Sequence, residues 1–128
     1  TVRDAIYGLG EPRPTGPMNH RFQTGARSYA GHTGSLLDQP SKALKAGVHG
    51  VPGGENMLIL QDGRVRYFSV REAARLQGLP DDYEFVGSWS ENMRQLGNAV
   101  PVPLAQTAAL ALRERLDTAQ SEKNMKAA

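Results

Sequence analysis

The stretch that most restricts the fold is Met57–Pro80, where two apolar-rich runs, a tight-turn dipeptide, a helix start and a helix stop follow one another without a gap. Met57–Leu60 and Arg64–Phe68 read as two strands, and the Asp62-Gly63 pair between them favours the positive φ angles of a tight hairpin turn. Ser69 is followed three residues later by Glu72, the pattern in which a hydroxyl and a carboxylate satisfy each other's amides at a helix start. Ala73, Ala74 and Leu76 carry that helix forward, and Gly78 and Pro80 stop it. A chain containing this run holds a small hairpin feeding directly into a short helix, which predicts an α+β fold.

The flanks add less regular structure. Thr1–Leu9 is expected to form one or two helical turns capped by Thr1, with Val2, Ile6 and Leu9 on one face and Gly8 and Gly10 ending it. From Glu11 to about Pro40 the chain is polar, punctuated by Pro and Gly and without sustained periodicity; a loop this long is functional or disordered. Residues 43–48 read as a weak strand, followed by a glycine-rich loop from His49 to Asn56. After the turn at Pro80-Asp81-Asp82, the residues Tyr83, Phe85 and Trp89 are expected to cluster, and Ser88 or Ser90 to cap a helix ending before Gly97. Pro101 and Pro103 suit the first turn of a helix from about Val102 to Leu116, with a frayed polar tail over 117–128.

Bulk properties narrow the function classes. The 128 residues suit one small domain, and 14 Gly with 8 Pro mark a loop-rich chain. With no Cys there is no disulfide and no thiolate metal site, and the three scattered histidines His20, His32 and His49 do not suggest a metal centre. A net charge of +2 suits nucleic acid without demanding it. No apolar run approaches the roughly 20 residues of a membrane span and no leader pattern is seen, so a soluble, cytoplasmic protein is expected.

At Arg64–Phe85 (RVRYFSVREAARLQGLPDDYEF) and Arg94–Ala105 (RQLGNAVPVPLA) the sequence resembles the ninth and tenth motifs of the DNA cytosine-5 methyltransferases, in the family's order and spacing. Thr1–Leu9 resembles the segment after the family's eighth motif, and Ser28–Asn56 a compact target-recognition region. The resemblance implies a target-recognition (small) domain over 1–93, a tenth motif and helix over 94–116 completing a Rossmann-like catalytic domain outside this sequence, and a flexible tail over 117–128. It also implies double-stranded DNA as partner and S-adenosylmethionine as cofactor. The family attacks carbon 6 of an extruded cytosine with a cysteine thiolate from a Pro-Cys motif before methyl transfer to carbon 5. This chain has no Cys, so no catalytic residue is assigned and it is expected to be inactive without an N-terminal catalytic half, whether on the same polypeptide or on a second subunit.

Within that reading Asn98, in the Gly97-Asn98-Ala99-Val100 turn, is the leading cofactor residue: at a helix entrance its amide could meet the methionine carboxylate of the cofactor, the competing role being a plain helix cap. Val100 is expected to pack on the cofactor and Gln95 to orient the turn. Arg27, His32, Lys42, Lys45 and His49 are the candidate DNA contacts, against the alternative of an ordinary solvated loop. Arg71 and Arg75 share a helix face and are expected to brace the recognition region, Arg75 as the more buried.

A second reading is an autonomous DNA-recognition module without methyl transfer. The helix from Val102 to Leu112 argues against it, being apolar nearly all round with Gln106 and Thr107 as its interruptions, and such a helix needs burial on every side. Without a parent domain it is expected to pair with a second copy or to fold back on the small domain.

Overall fold

The computed structural model describes residues 1–17, 19–46 and 54–127. Helix α1 (Val2–Ile6) starts at Thr1, whose hydroxyl accepts from the Asp4 amide at 3.3 Å while Asp4 reaches back to Thr1. It buries Val2, and its first two amides donate to Gln39 and Leu37 carbonyls, which stitches α1 to the middle of the long loop.

Three strands follow, β1 (Ser35–Leu36), β2 (Met57–Ile59) and β3 (Val65–Tyr67), in sheet order β1-β2-β3. The expected hairpin is present: β2 and β3 are antiparallel, with Met57 opposite Tyr67 and Ile59 opposite Val65. Its turn differs in one detail. Gly63 alone takes positive φ (+82°), its amide donating to the Leu60 carbonyl, while the Asp62 carboxylate accepts from the Arg64 amide at 3.0 Å. Asp62 works through its side chain rather than through a left-handed backbone. Strand β1, parallel to β2, was not predicted, because two residues carry no period. Gly34 permits it: its φ is +84°, and a Cβ there would lie 3.1 Å from the Met57 carbonyl oxygen. The strand expected over 43–48 is absent from 43–46, and 47–48 lie outside the described residues.

Helix α2 (Val70–Leu76) has the predicted reciprocal cap, with the Glu72 amide donating to Ser69 Oγ at 3.1 Å and the Ser69 amide to Glu72 Oε2 at 2.8 Å. The same carboxylate holds Arg66 of β3 through two bonds of 2.7 Å, both side chains being buried. One carboxylate thus closes the hairpin onto the helix. The loop before the sheet is ordered from this end. His20 Nδ1 lies 2.8 Å from Ser69 Oγ, and Asn19, at a φ of +75° that asparagine tolerates, accepts from the Arg71 amide through its carbonyl.

Helix α3 (Trp89–Asn98) is capped by Ser88, and it runs through Gly97 and Asn98 instead of stopping before them. Helix α2 packs against both α1 and α3, and the core gathers Leu58, Phe68, Ala73, Ala74, Met93 and Leu96 between them. The predicted aromatic cluster splits in two: Tyr83 packs on Phe85, whereas Trp89 packs on Tyr67 and donates to the Phe68 carbonyl at 2.9 Å.

Helix α4 (Val102–Ala127) is 26 residues long, continuing well past the expected end at Leu116 through the segment read as a frayed tail. It is fastened at its base, where the Val102 amide donates to the Gln77 carbonyl at 2.8 Å and Pro103 packs over Gly78. Beyond that base its side chains through residue 126 are exposed, Leu104, Leu110, Leu112 and Leu116 included. The expectation that it folds back on the small domain is therefore not met. Among the described residues no helix is long and apolar enough to cross a membrane.

The Arg66–Glu72 pair generates a stability prediction. Glu72→Gln keeps the side chain's shape but leaves a buried guanidinium with the exposed Glu11 as its remaining counter-charge, and should cost about 3–5 kcal/mol in chemical denaturation. Ser69→Ala, which removes a cap, should cost about 1 kcal/mol. Equal, small losses in the two variants would show that the pair does not hold the hairpin to α2.

Candidate functional site

The segments singled out in the sequence meet where α2, α3 and α4 approach one another. Gln77, at the end of α2, was not among the predicted site residues, yet it organises this junction. Its backbone carbonyl accepts from Val102, and its buried carboxamide donates to the Leu96 carbonyl at 2.6 Å and more weakly to the Ala99 carbonyl at 3.4 Å. One residue therefore holds both ends of the Gly97–Pro101 turn. The sequence signal for it was a glutamine at a helix end just before Gly78, a position that also suits a plain solvated cap.

Gly97 explains how the turn meets the Ser28–Asn56 stretch. A Cβ there would lie 2.5 Å from the Ala46 nitrogen and 2.6 Å from the Lys45 carbonyl carbon, so the Lys45–Ala46 backbone rests directly on the last turn of α3. A cleft of about 250 Å³ opens beside this contact, lined by Lys42, Leu44, Gln77, Gly97, Ala99 and Pro101 among others.

Asn98 sits at the exit of α3, not at a helix entrance. Since α4 begins at Val102, Asn98 caps neither helix. What it offers is its own side chain, exposed and without a hydrogen bond among the described residues. Ala99 and Val100 are exposed next to it. Gln95 reaches back to Glu91 at 3.3 Å rather than towards the turn.

The two arginines of α2 are both engaged, with their expected burial reversed. Arg71 is the buried one and donates to the carbonyls of Pro80 (3.1 Å) and Tyr83 (2.7 Å). Half-buried Arg75 forms a two-pronged pair with Asp81 and donates to the Tyr7 carbonyl at 2.7 Å. The Asp81 bond raises Arg75 above the ordinary guanidinium value, and the same bond holds Asp81 below the usual carboxylate range. Arg75 ties the end of α1 to the turn after α2, and Arg71 ties α2 to that same turn.

Of the proposed DNA contacts, three come together. Lys45 Nζ meets Glu55 at 2.8 Å, His32 Nδ1 lies 3.6 Å from the other Glu55 oxygen and stacks on Tyr29, and Lys42 donates to Thr33, the neighbour of His32, at 2.8 Å. The bond from Lys45 holds the Glu55 carboxyl below its ordinary value, against the effect of burial. Asn56 fixes the Lys45 backbone, its carboxamide accepting from the Lys45 amide (3.2 Å) and donating to the Lys45 carbonyl (3.0 Å). Arg27 is exposed, and His49 lies outside the described residues.

A larger cleft, about 570 Å³, is lined by none of the candidate site residues. Its charged groups are already paired, Arg3 with Asp38, Asp62 with Arg64, and Arg66 with Glu72 and Glu11, which leaves little free chemistry there.

Residues 14–114 match the family model of the C-5 cytosine-specific DNA methylases. The chain belongs to this family. The type II methyltransferase M.AplI of Arthrospira platensis is 42% identical over 133 residues, an alignment covering 94% of the chain and 38% of that protein. DNA (cytosine-5)-methyltransferase 1 of Gallus gallus is 32% identical over 123 residues, covering 84% of the chain and 8% of that protein. Its counterpart in Mus musculus is 45% identical over 62 residues, covering 48% and 4%. The chain thus spans well under half the length of the curated relatives it matches. No solved structure matches it.

The contact at Gly97 gives a test of the junction. Gly97→Ala must push the Lys45–Ala46 backbone off α3, and should cost about 1–3 kcal/mol as an overpacked substitution does. Amide exchange at Lys45 and Ala46 should rise with it. Unchanged stability and exchange would show that this approach is not close.

Proposed function

We propose that this chain is the C-terminal portion of a DNA cytosine-5 methyltransferase, supplying target recognition and one wall of the S-adenosylmethionine site. The observation that carries the proposal is the exposed Asn98–Val100 turn, held from behind by Gln77 and lying against the recognition stretch through Gly97. The cofactor, when bound, supplies the methyl group. Gly97 sets the close approach, Ala99 and Val100 offer an apolar surface, and the uncommitted Asn98 carboxamide can donate to the carboxylate at the methionine end of the cofactor.

Arg27, His32, Lys42, Lys45 and His49 belong to the DNA-facing stretch, cations to phosphate and one or two side chains to base edges. Arg71 and Arg75 hold the loops behind it. The attacking thiolate must come from elsewhere, since the sequence contains no Cys. It belongs to an N-terminal catalytic half, against which the apolar side chains of α4 would be buried. In this reading the small domain ends with α3, and the joint to the catalytic domain lies at Ala99–Pro101 rather than at residue 93, which is inside a helix. Free of that half, the chain would cover α4 by pairing with a second copy. The reading as a self-sufficient DNA-binding module fares less well, because it leaves the apolar length of α4 without a purpose.

Methyl transfer tests the assignment. The chain by itself should incorporate no labelled methyl group into DNA, and adding an N-terminal half with the Pro-Cys segment should restore incorporation. Labelling by the chain alone would refute the proposal.

Asn98 has its own test in the reconstituted enzyme. As it caps no helix, Asn98→Ser should leave the melting temperature unchanged. Loss of the amide donor should raise the cofactor Kd about tenfold, the scale of one hydrogen bond to a charged group. An unaltered cofactor Kd would remove Asn98 from the site.

A further inference from the structure

A second cleft, of about 340 Å³, lies between Pro14, residues 19–23 and the first turns of α2 and α3, and shares no lining residue with the cleft beside Gly97. Its size falls within the range of small-ligand pockets. Four features of its lining converge. Asn92 is 2% exposed, and its carboxamide oxygen has no hydrogen-bond partner; buried polar groups in native proteins are almost always satisfied, so an unpaired one calls for an explanation. Trp89 forms a fixed aromatic wall, held by its bond to the Phe68 carbonyl and its packing on Tyr67, and half-exposed Phe22 forms a second. Arg21 spends only its Nε, on the Gly16 carbonyl at 3.3 Å, and has no ion pair among the described residues. No carboxylate lines the cleft, and Gly87 leaves open space where a side chain would stand.

We propose that this cleft binds one adenine nucleotide, its ring against Phe22 and Trp89, its base edge on Asn92 and its phosphate on Arg21. A carboxamide presents one donor and one acceptor side by side, the complement of adenine N7 and the N6 amino group. Aromatic side chains stack bases of any sequence, and the amide supplies the selection. A guanidinium forks onto phosphate oxygens, and the nearby N-terminus of α3 favours the anion. The ligand can arrive as a free mononucleotide or as an unpaired nucleotide of a strand. The site is separate from the proposed cofactor wall, and it stands or falls independently of methyl transfer.

Trp89 is the only tryptophan of the chain, so its fluorescence reports on the cleft directly in the full chain without a catalytic partner. Adenosine 5′-monophosphate should quench it saturably. Uridine 5′-monophosphate and S-adenosylmethionine, which lack the base edge and the phosphate respectively, should bind at least tenfold more weakly, and inorganic phosphate should not quench. Arg21→Ala, a surface change, should weaken adenosine monophosphate at least tenfold. Asn92→Leu should abolish the preference for adenine over uridine while the circular dichroism spectrum is kept; should that variant unfold, the Arg21→Ala and uridine arms decide. An oligodeoxyadenylate that binds more tightly than the mononucleotide, with the same dependence on Arg21, identifies a strand as the source, and one that binds no better identifies the free nucleotide. Absence of saturable quenching, equal affinity for the two monophosphates, or indifference to Arg21→Ala overturns the proposal.

Discussion

A guanidinium and a carboxylate removed from water must satisfy each other almost completely, because each forfeits hydration that a single weak contact does not restore. Arg66 and Glu72 meet that condition with two short bonds, and Glu72 spends what remains on the Ser69 amide. Burial works against the charge on Arg66, but the bonds and field of Glu72, with those of Glu11, outweigh it and hold the group above its ordinary value. The geometry that results is narrow: β3 must deliver Arg66, and α2 must start at Ser69, for one carboxylate to serve both. Ser69 then offers its hydroxyl to His20, and the polar loop before the sheet acquires a fixed point in the core.

The second constraint is the approach of three helix ends. Gln77 satisfies carbonyls of α3 and of the turn after it, and accepts the first amide of α4, so the groups that helix ends ordinarily leave to solvent are met by one neighbour. Two glycines make room, Gly97 against Lys45–Ala46 and Gly78 under Pro103. Together they place a surface turn, Asn98–Val100, on a rigid support, and bring it beside a basic group in which Lys42, Lys45 and His32 surround Glu55 and Thr33. That juxtaposition joins the two halves of the family resemblance in space.

Much of this was legible in the sequence where the signal is local. The hairpin, the Ser69–Glu72 cap, the stop at Gly78 and the proline-led start of α4 depend on residues within a few positions of one another, and each was found as read. Misreadings occurred where a long-range partner decides. Trp89 joined Tyr67 rather than Tyr83 and Phe85, Arg71 rather than Arg75 went inside, and Gly97 proved to be a point of close approach within α3 instead of a helix terminator. Glycine is ambiguous in sequence because the same missing Cβ serves a turn and a tight contact alike.

The family, the mixed α+β class and the absence of a cysteine nucleophile were therefore determined by the sequence alone, since motif order, hairpin and cap patterns and composition need no third dimension. Only the tertiary structure decided which charges are buried and paired, that Gln77 is the residue joining the motifs, that Asn98 leaves a helix rather than entering one, and that Asn92 lies unpaired in a cleft. These depend on contacts between residues distant in the chain, and a side chain's burial and hydrogen-bond partners are properties of the packed surroundings, not of its neighbours in sequence.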